Sequence, residues 1–122
     1  MVRVLIVDDS PSMRSIVMHG LRRAGLGVDS FTLAADGAEA LAALEQGGVD
    51  LVLCDVSMPR TCGIDLVRRI RLAHPDRPPI LLMTAHGSAE LLRQARCHGA
   101  DGCVTKSATS HGLFDAIDPH LR

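Results

Sequence analysis

Five polar residues stand at the ends of apolar runs in this 122-residue chain, and their types are those that handle cations and phosphate. VLIV runs into Asp8 and Asp9, LVLC into Asp55, ILLM into Thr84, and CVT into Lys106. Adjacent carboxylates at the edge of an apolar segment repel. Two unit charges ~4 Å apart cost about 1 kcal/mol in water and about 4 kcal/mol at an effective dielectric of 20. Three acids gathered at a solvent-facing rim turn that repulsion into a site for a hard divalent cation. Mg2+ suits it best, because it takes one or two carboxylates, keeps several waters and completes its shell with a phosphate. Calcium would want more ligands, and softer metals favour imidazole and thiolate, which lie elsewhere in the chain.

Those residues can meet only if the right elements carry them. Val2 to Val7 is short, β-branched and bounded by acids, which predicts a buried strand. From Pro11 to Ala24 the apolar residues Met13, Ile16, Val17 and Leu21 follow helical spacing. Ser10 or Ser12 can cap that helix, Pro11 suits its first turn, and Gly25 stops it. VDSFTLA (28–34) reads as a less apolar strand nearer an edge. Asp36 caps a second helix, Glu39 completes a capping-box-like pair, and Gly47-Gly48 ends it. Asp50 to Cys54 predicts a third strand, and 64–73 a helix with Ile64, Val67 and Ile70 inward and Leu66 as a further candidate for that face. Pro78 to Thr84 predicts strand four, followed by a helix capped by Ser88 and stopped by Gly99. Asp101 to Thr105 is a short fifth strand. The last segment reads as a weak helix, since Gly112 and Pro119 both oppose it.

Five strand–helix units without linker or repeat predict a single domain over residues 1–122. The fold class is α/β: a doubly wound parallel sheet with helices on both faces. Open sheets of this kind bind ligands at the carboxyl ends of their strands, near the point where strand order reverses. In the order 2-1-3-4-5 the first and third strands are neighbours ~4.8 Å apart, so Asp8, Asp9 and Asp55 fall in one cluster. The fifth strand lies ~10 Å from the third. The flexible stem of Lys106 can cross that gap, provided strand four ends in small residues, and Thr84-Ala85 is small.

Composition narrows the function classes. Hydrophobic content of 47% with 22% charged residues is that of a globular chain. A net charge of −1 gives no electrostatic case for binding nucleic acid or acidic membranes. Trp and Tyr are absent and Phe occurs twice, so no base-stacking platform is on offer. No apolar run approaches the ~20 residues of a membrane span, and the expected location is the cytoplasm. There Cys54, Cys62, Cys97 and Cys103, whose spacing matches no zinc pattern, are expected as small buried or semi-buried thiols.

VDDS, CDVSMPRTCG, MTA and VTKS, each at a strand end, resemble the receiver domain of two-component response regulators, and the resemblance spans essentially the whole chain. It implies a flavodoxin-like (βα)5 fold and a stand-alone, chemotaxis-receiver-like domain. Asp55 would be the phosphoacceptor. Mg2+ would be held by Asp8, Asp9, Asp55 and the backbone carbonyl of Ser57. Thr84 would hydrogen-bond one phosphoryl oxygen and Lys106 would pair with another. The resemblance further implies a histidine kinase or histidine phosphotransfer protein as donor, with kinase docking on the first helix near Arg14, His19, Arg22 and Arg23. The readout would be a downstream protein target. Ser57 and His86 would tune the lifetime of the phosphoryl group by shaping water access. The implied activity is phosphotransfer and autodephosphorylation on the domain itself, without a separate enzymatic role.

The chain also departs from the pattern. Cys103 stands where receivers usually carry an aromatic ring that swings inward, and Ser107 where a proline usually follows the lysine. The expectation is that signalling runs through Thr84 and the loop after strand four. Pro59 and Gly63 are expected to shape the loop after Asp55, Gly63 by permitting a tight turn. Three other readings remain: a phosphate sink or shuttle, a fragment of a larger regulator, and an aspartate-nucleophile phosphatase. The last would want a second carboxylate two residues after the nucleophile, where Ser57 stands.

Overall fold

Alternation of side chains along each strand decides which residues bury and on which face of the sheet. Residues 2–25, 27–58, 62–76, 78–85, 88–105, 117 and 119 are described by a computed structural model. The elements are β1 (Val2–Val7), α1 (Pro11–Arg23), β2 (Val28–Ala34), α2 (Gly37–Glu45), β3 (Leu51–Asp55), α3 (Gly63–Ala73), β4 (Ile80–Thr84), α4 (Ala89–Cys97) and β5 (Gly102–Thr105). All strand pairs are parallel, in the order β2-β1-β3-β4-β5. This is the doubly wound order expected, with β1 and β3 side by side at the reversal.

The sheet separates two cores. Leu5, Val7, Val52, Cys54, Ile80 and Leu82 point to one face, where α2 adds Ala40 and Leu44, α3 adds Leu66, Val67 and Ile70, and α4 adds Ala95. Val4, Ile6, Leu51, Leu53, Leu81, Met83 and Val104 point to the other, against Val17 and Leu21 of α1 and against Ile117. Every residue of β3 and β4 is buried, as befits strands covered on both sides. β2 lies at the edge, and its mixed pattern of exposed and half-buried residues follows from that place.

Ser10, Asp36 and Ser88 each accept a hydrogen bond from the backbone N–H three residues on, so all three act as helix caps. Several details differ from expectation. Ile16 is 57% exposed, because it follows the ridge adjacent to the buried Val17–Leu21 stripe. In α3, Leu66, Val67 and Ile70 are buried in line with the helical spacing, but Ile64, also expected inward, is only half-buried. β4 begins at Ile80, not Pro78, since prolines have no N–H for the ladder. The carbonyl of Pro79 still accepts from Val52 at 2.9 Å. β3 runs one residue further than expected and includes Asp55. Of the weak helix expected at the C-terminal end, only Ile117 and Pro119 lie within the described residues.

At the pole opposite the acids, Arg71 ties three segments together. Its Nε donates to the Gly99 carbonyl at 2.8 Å, Nη1 to the His74 carbonyl at 3.3 Å, and Nη2 to Asp101 at 3.1 Å. The same Asp101 oxygen accepts from the Ile80 N–H at 2.9 Å, so α3, the α4–β5 turn and the start of β4 share one clasp. The Arg71 side chain is mostly buried. Arg71→Ala is therefore expected to lower stability by about 2 kcal/mol, since hydrogen bonds to charged groups contribute about 1.5–3 kcal/mol each and Asp101 is partly solvated. Urea unfolding of the variant checks this.

Candidate functional site

The buried polar or charged side chains among the described residues are Asp8 at 0% exposure, Asp55 at 2% and Thr84 at 5%. All three sit at the carboxyl ends of β1, β3 and β4. Parity and register explain the meeting. Val7 pairs with Cys54, so the next step of the ladder sets Asp8 beside Asp55. Both continue the strand positions that point toward α1. Asp55 pairs with Met83 across β3 and β4, which brings Thr84 to the same rim one step further on. Thr84 in turn pairs with Thr105, the residue before Lys106.

Backbone donors hold the carboxylates in place. Asp8 Oδ1 accepts the Ser10 N–H at 3.0 Å, and Asp55 Oδ1 accepts the Ser57 N–H at 3.1 Å. Asp9 is exposed, yet Asp8, Asp9 and Asp55 each offer a carboxylate oxygen within 4.8 Å of the other two. Burying an ionised carboxylate is costly without a compensating charge or hydrogen bonds. The donor set is all oxygen, hard and anionic, with no imidazole or thiolate in the group, which fits Mg2+ and not zinc.

The loop after β3 closes tightly on the helix that follows. The Gly63 N–H donates to the Val56 carbonyl at 3.0 Å, and Ser57 and Cys62 form an antiparallel bridge. A Cβ at Gly63 would stand 2.5 Å from the Asp55 carbonyl oxygen and 2.7 Å from the Val56 Cα. Gly63 is thus required by close approach of two backbones; its φ is not in the left-handed region, which corrects the expectation of a turn glycine. Cys62 is exposed beside the loop and caps α3 without a side-chain bond.

Beneath the site, the buried Cys54 thiol donates to the Asp55 carbonyl at 3.5 Å. Burial pushes this thiol up to about 12, and the nearby charges of Asp55 and Asp8 push in the same direction. It therefore stays a protonated, unreactive filler of the core. Cys103 is half-buried and packs on the core of the α2–α4 face. Its thiol is also raised by burial, with Arg96 opposing. Among the described residues all four cysteines are free; Cys54 and Cys103 are buried and half-buried as expected, whereas Cys62 and Cys97, at the ends of their helices, are exposed.

Two basic residues of α1 are engaged. Arg14 is half-buried, and its guanidinium donates to the Asp8 carbonyl at 2.6 Å, which sets it at the acidic rim. Arg22 lies over the Phe31 ring, 5.2 Å from its centroid. Lys106, Pro59, His86 and Ser107 lie outside the described residues. The Arg14 contact was legible only as a basic residue six positions after Asp8, a spacing with no meaning until β1 and α1 are docked.

Comparison with known proteins gives this arrangement a relationship. Residues 4–118 match the family model described as the response regulator receiver domain. The chain belongs to that family. The receiver is 36% identical over 118 residues to the chemotaxis protein CheY-3 of Vibrio cholerae, covering 96% of this chain and 89% of the relative. It is equally 36% identical to the chemotaxis protein CheY of Pseudomonas aeruginosa, covering 96% and 94%. Among solved structures, Vibrio cholerae CheY4 superposes with a TM-score of 0.88 at 34% identity, over 99% of both chains. The receiver is thus a CheY-like phosphoacceptor module of two-component signalling, and its acidic pocket is the kind that binds Mg2+ in this family. Among the described residues no helix is long and apolar enough to cross a membrane.

Proposed function

We propose that Asp55 accepts a phosphoryl group from a phosphohistidine on a kinase or phosphotransfer protein, and that the product alters binding of a downstream protein in the cytoplasm. The reading is carried by one observation: the buried polar side chains of the described structure converge at a single rim. A carboxylate oxygen of Asp55 attacks phosphorus, the P–N bond breaks, and the electron pair leaves on the donor imidazole. The Ser57 N–H orients the acceptor carboxylate by donating to its Oδ1 at 3.1 Å. Thr84 donates its hydroxyl to a phosphoryl oxygen, Lys106 pairs with another, and the small Ala85 leaves room for the donor. Mg2+ held by Asp8, Asp9 and Asp55, with the Ser57 carbonyl, would supply positive charge against the phosphoryl oxygens. Phosphoryl transfer needs little beyond such positioning and neutralisation, so the domain can carry out its own phosphorylation and dephosphorylation.

The test is incubation with acetyl phosphate, with Mg2+ or with EDTA, followed by intact mass. The expected result is one added phosphoryl group with Mg2+ and none with EDTA. Equal modification in both arms would overturn the metal reading, and none in either would overturn the phosphoacceptor reading.

A further inference from the structure

The turn that carries Asp9 is enclosed by a closed web of bonds. Ser10 N–H donates to Asp8 Oδ1 at 3.0 Å, and Ser10 Oγ accepts from Met13 N–H at 3.3 Å. Arg14 N–H donates to the Ser10 carbonyl at 3.0 Å, and the Arg14 guanidinium returns to the Asp8 carbonyl at 2.6 Å. Asp9 sits between the two residues that this web fixes, and it is the exposed member of the acidic trio. An exposed carboxylate beside two buried ones would relieve repulsion by swinging outward with its turn. A strut across that turn opposes the swing.

We propose that Arg14 is a positioning residue for the cation site: through the Asp8 carbonyl it holds Asp8 and Asp9 in binding geometry before any cation arrives. This inference rests on reading Asp8, Asp9 and Asp55 as the Mg2+ site. Two effects of Arg14 oppose each other in sign, so experiment can separate them. As a strut it preorganises the ligands and tightens binding. As a fixed positive charge it repels a cation and weakens binding. The guanidinium spends its short contact on a main-chain carbonyl, and supporting groups of this kind are commonly worth 10–100-fold in metal affinity. The strut is therefore the larger effect.

The experiment is calorimetric titration of the unphosphorylated protein with MgCl2, alongside thermal unfolding in metal-free buffer. Arg14→Met keeps the stem and helix preference but removes donor and charge, and is expected to bind Mg2+ about tenfold more weakly. Arg14→Lys keeps a donor of nearly the same reach and is expected to restore most of the affinity. Arg14→Gln, too short to reach the carbonyl, is expected to match Arg14→Met and stands in for it should that variant not fold. Unchanged or tighter binding in the truncated variants overturns the inference, as does lower thermal stability with unchanged affinity. Wild-type protein that binds no Mg2+ would instead overturn the metal reading itself.

Discussion

Asp55→Asn is expected to take up no phosphoryl group from acetyl phosphate under conditions where the wild type is modified. The amide has the shape of the carboxylate and keeps an oxygen for the Ser57 N–H, which is 3.1 Å away in the wild type. It lacks the anionic oxygen that attacks phosphorus. One charge fewer among ligands that lie within 4.8 Å of one another should also weaken Mg2+ binding at least tenfold. The fold should persist, and the Mg2+-dependent rise in melting temperature expected of the wild type should shrink accordingly. Residual phosphorylation of Asp55→Asn would place the acceptor elsewhere, with Asp8 and Asp9 the first residues to map by peptide mass.

The second large effect is steric. Gly63→Ala sets a methyl group 2.5 Å from the Asp55 carbonyl oxygen, 2.7 Å from the Val56 Cα and 3.1 Å from the Asp55 carbonyl carbon. All three are main-chain atoms, so no side chain can turn aside. Either β3 or the start of α3 must move, and both position the acceptor. Overpacking of this kind costs about 1–3 kcal/mol. Displacement of a reacting group by ~1 Å can reduce rate roughly 100-fold. Gly63→Ala is therefore expected to melt earlier and to be phosphorylated roughly 100-fold more slowly, read by the time course of intact mass. Gly47→Ala is the control: its φ is +79° but its surroundings are open, so it should lose some stability and no phosphorylation rate. Wild-type kinetics in Gly63→Ala would show that the tight closure is irrelevant to the chemistry.

How much of this was readable beforehand differs by residue. Asp8 and Asp55 were legible as neighbours because buried parallel strands appear as continuous apolar runs whose ends mark the rim. Thr84 followed from the same rule. For Gly63 the sequence shows only that a glycine is present, which suggests a turn, while the approach of Asp55 and Val56 exists only after β3 and α3 have packed. Helical spacing admits both Ile16 and Val17 to the inward face, but only the ridge through Val17 and Leu21 lies against the sheet. The nearness of Arg14 to the acidic rim is legible from its place at the start of the first helix, but its bond to the Asp8 carbonyl closes over a turn, and no periodicity reports such a bond.

The Arg71 clasp has a consequence for how the molecule can deform. Residues from α3, the α4–β5 turn and β4 are riveted at one end, while like charges crowd the other. A change in charge at the crowded end can splay or draw together the upper loops without loosening the base. A deformation that began at Asp55 would thereby be directed outward along the rim, as in a pair of tongs hinged at the heel.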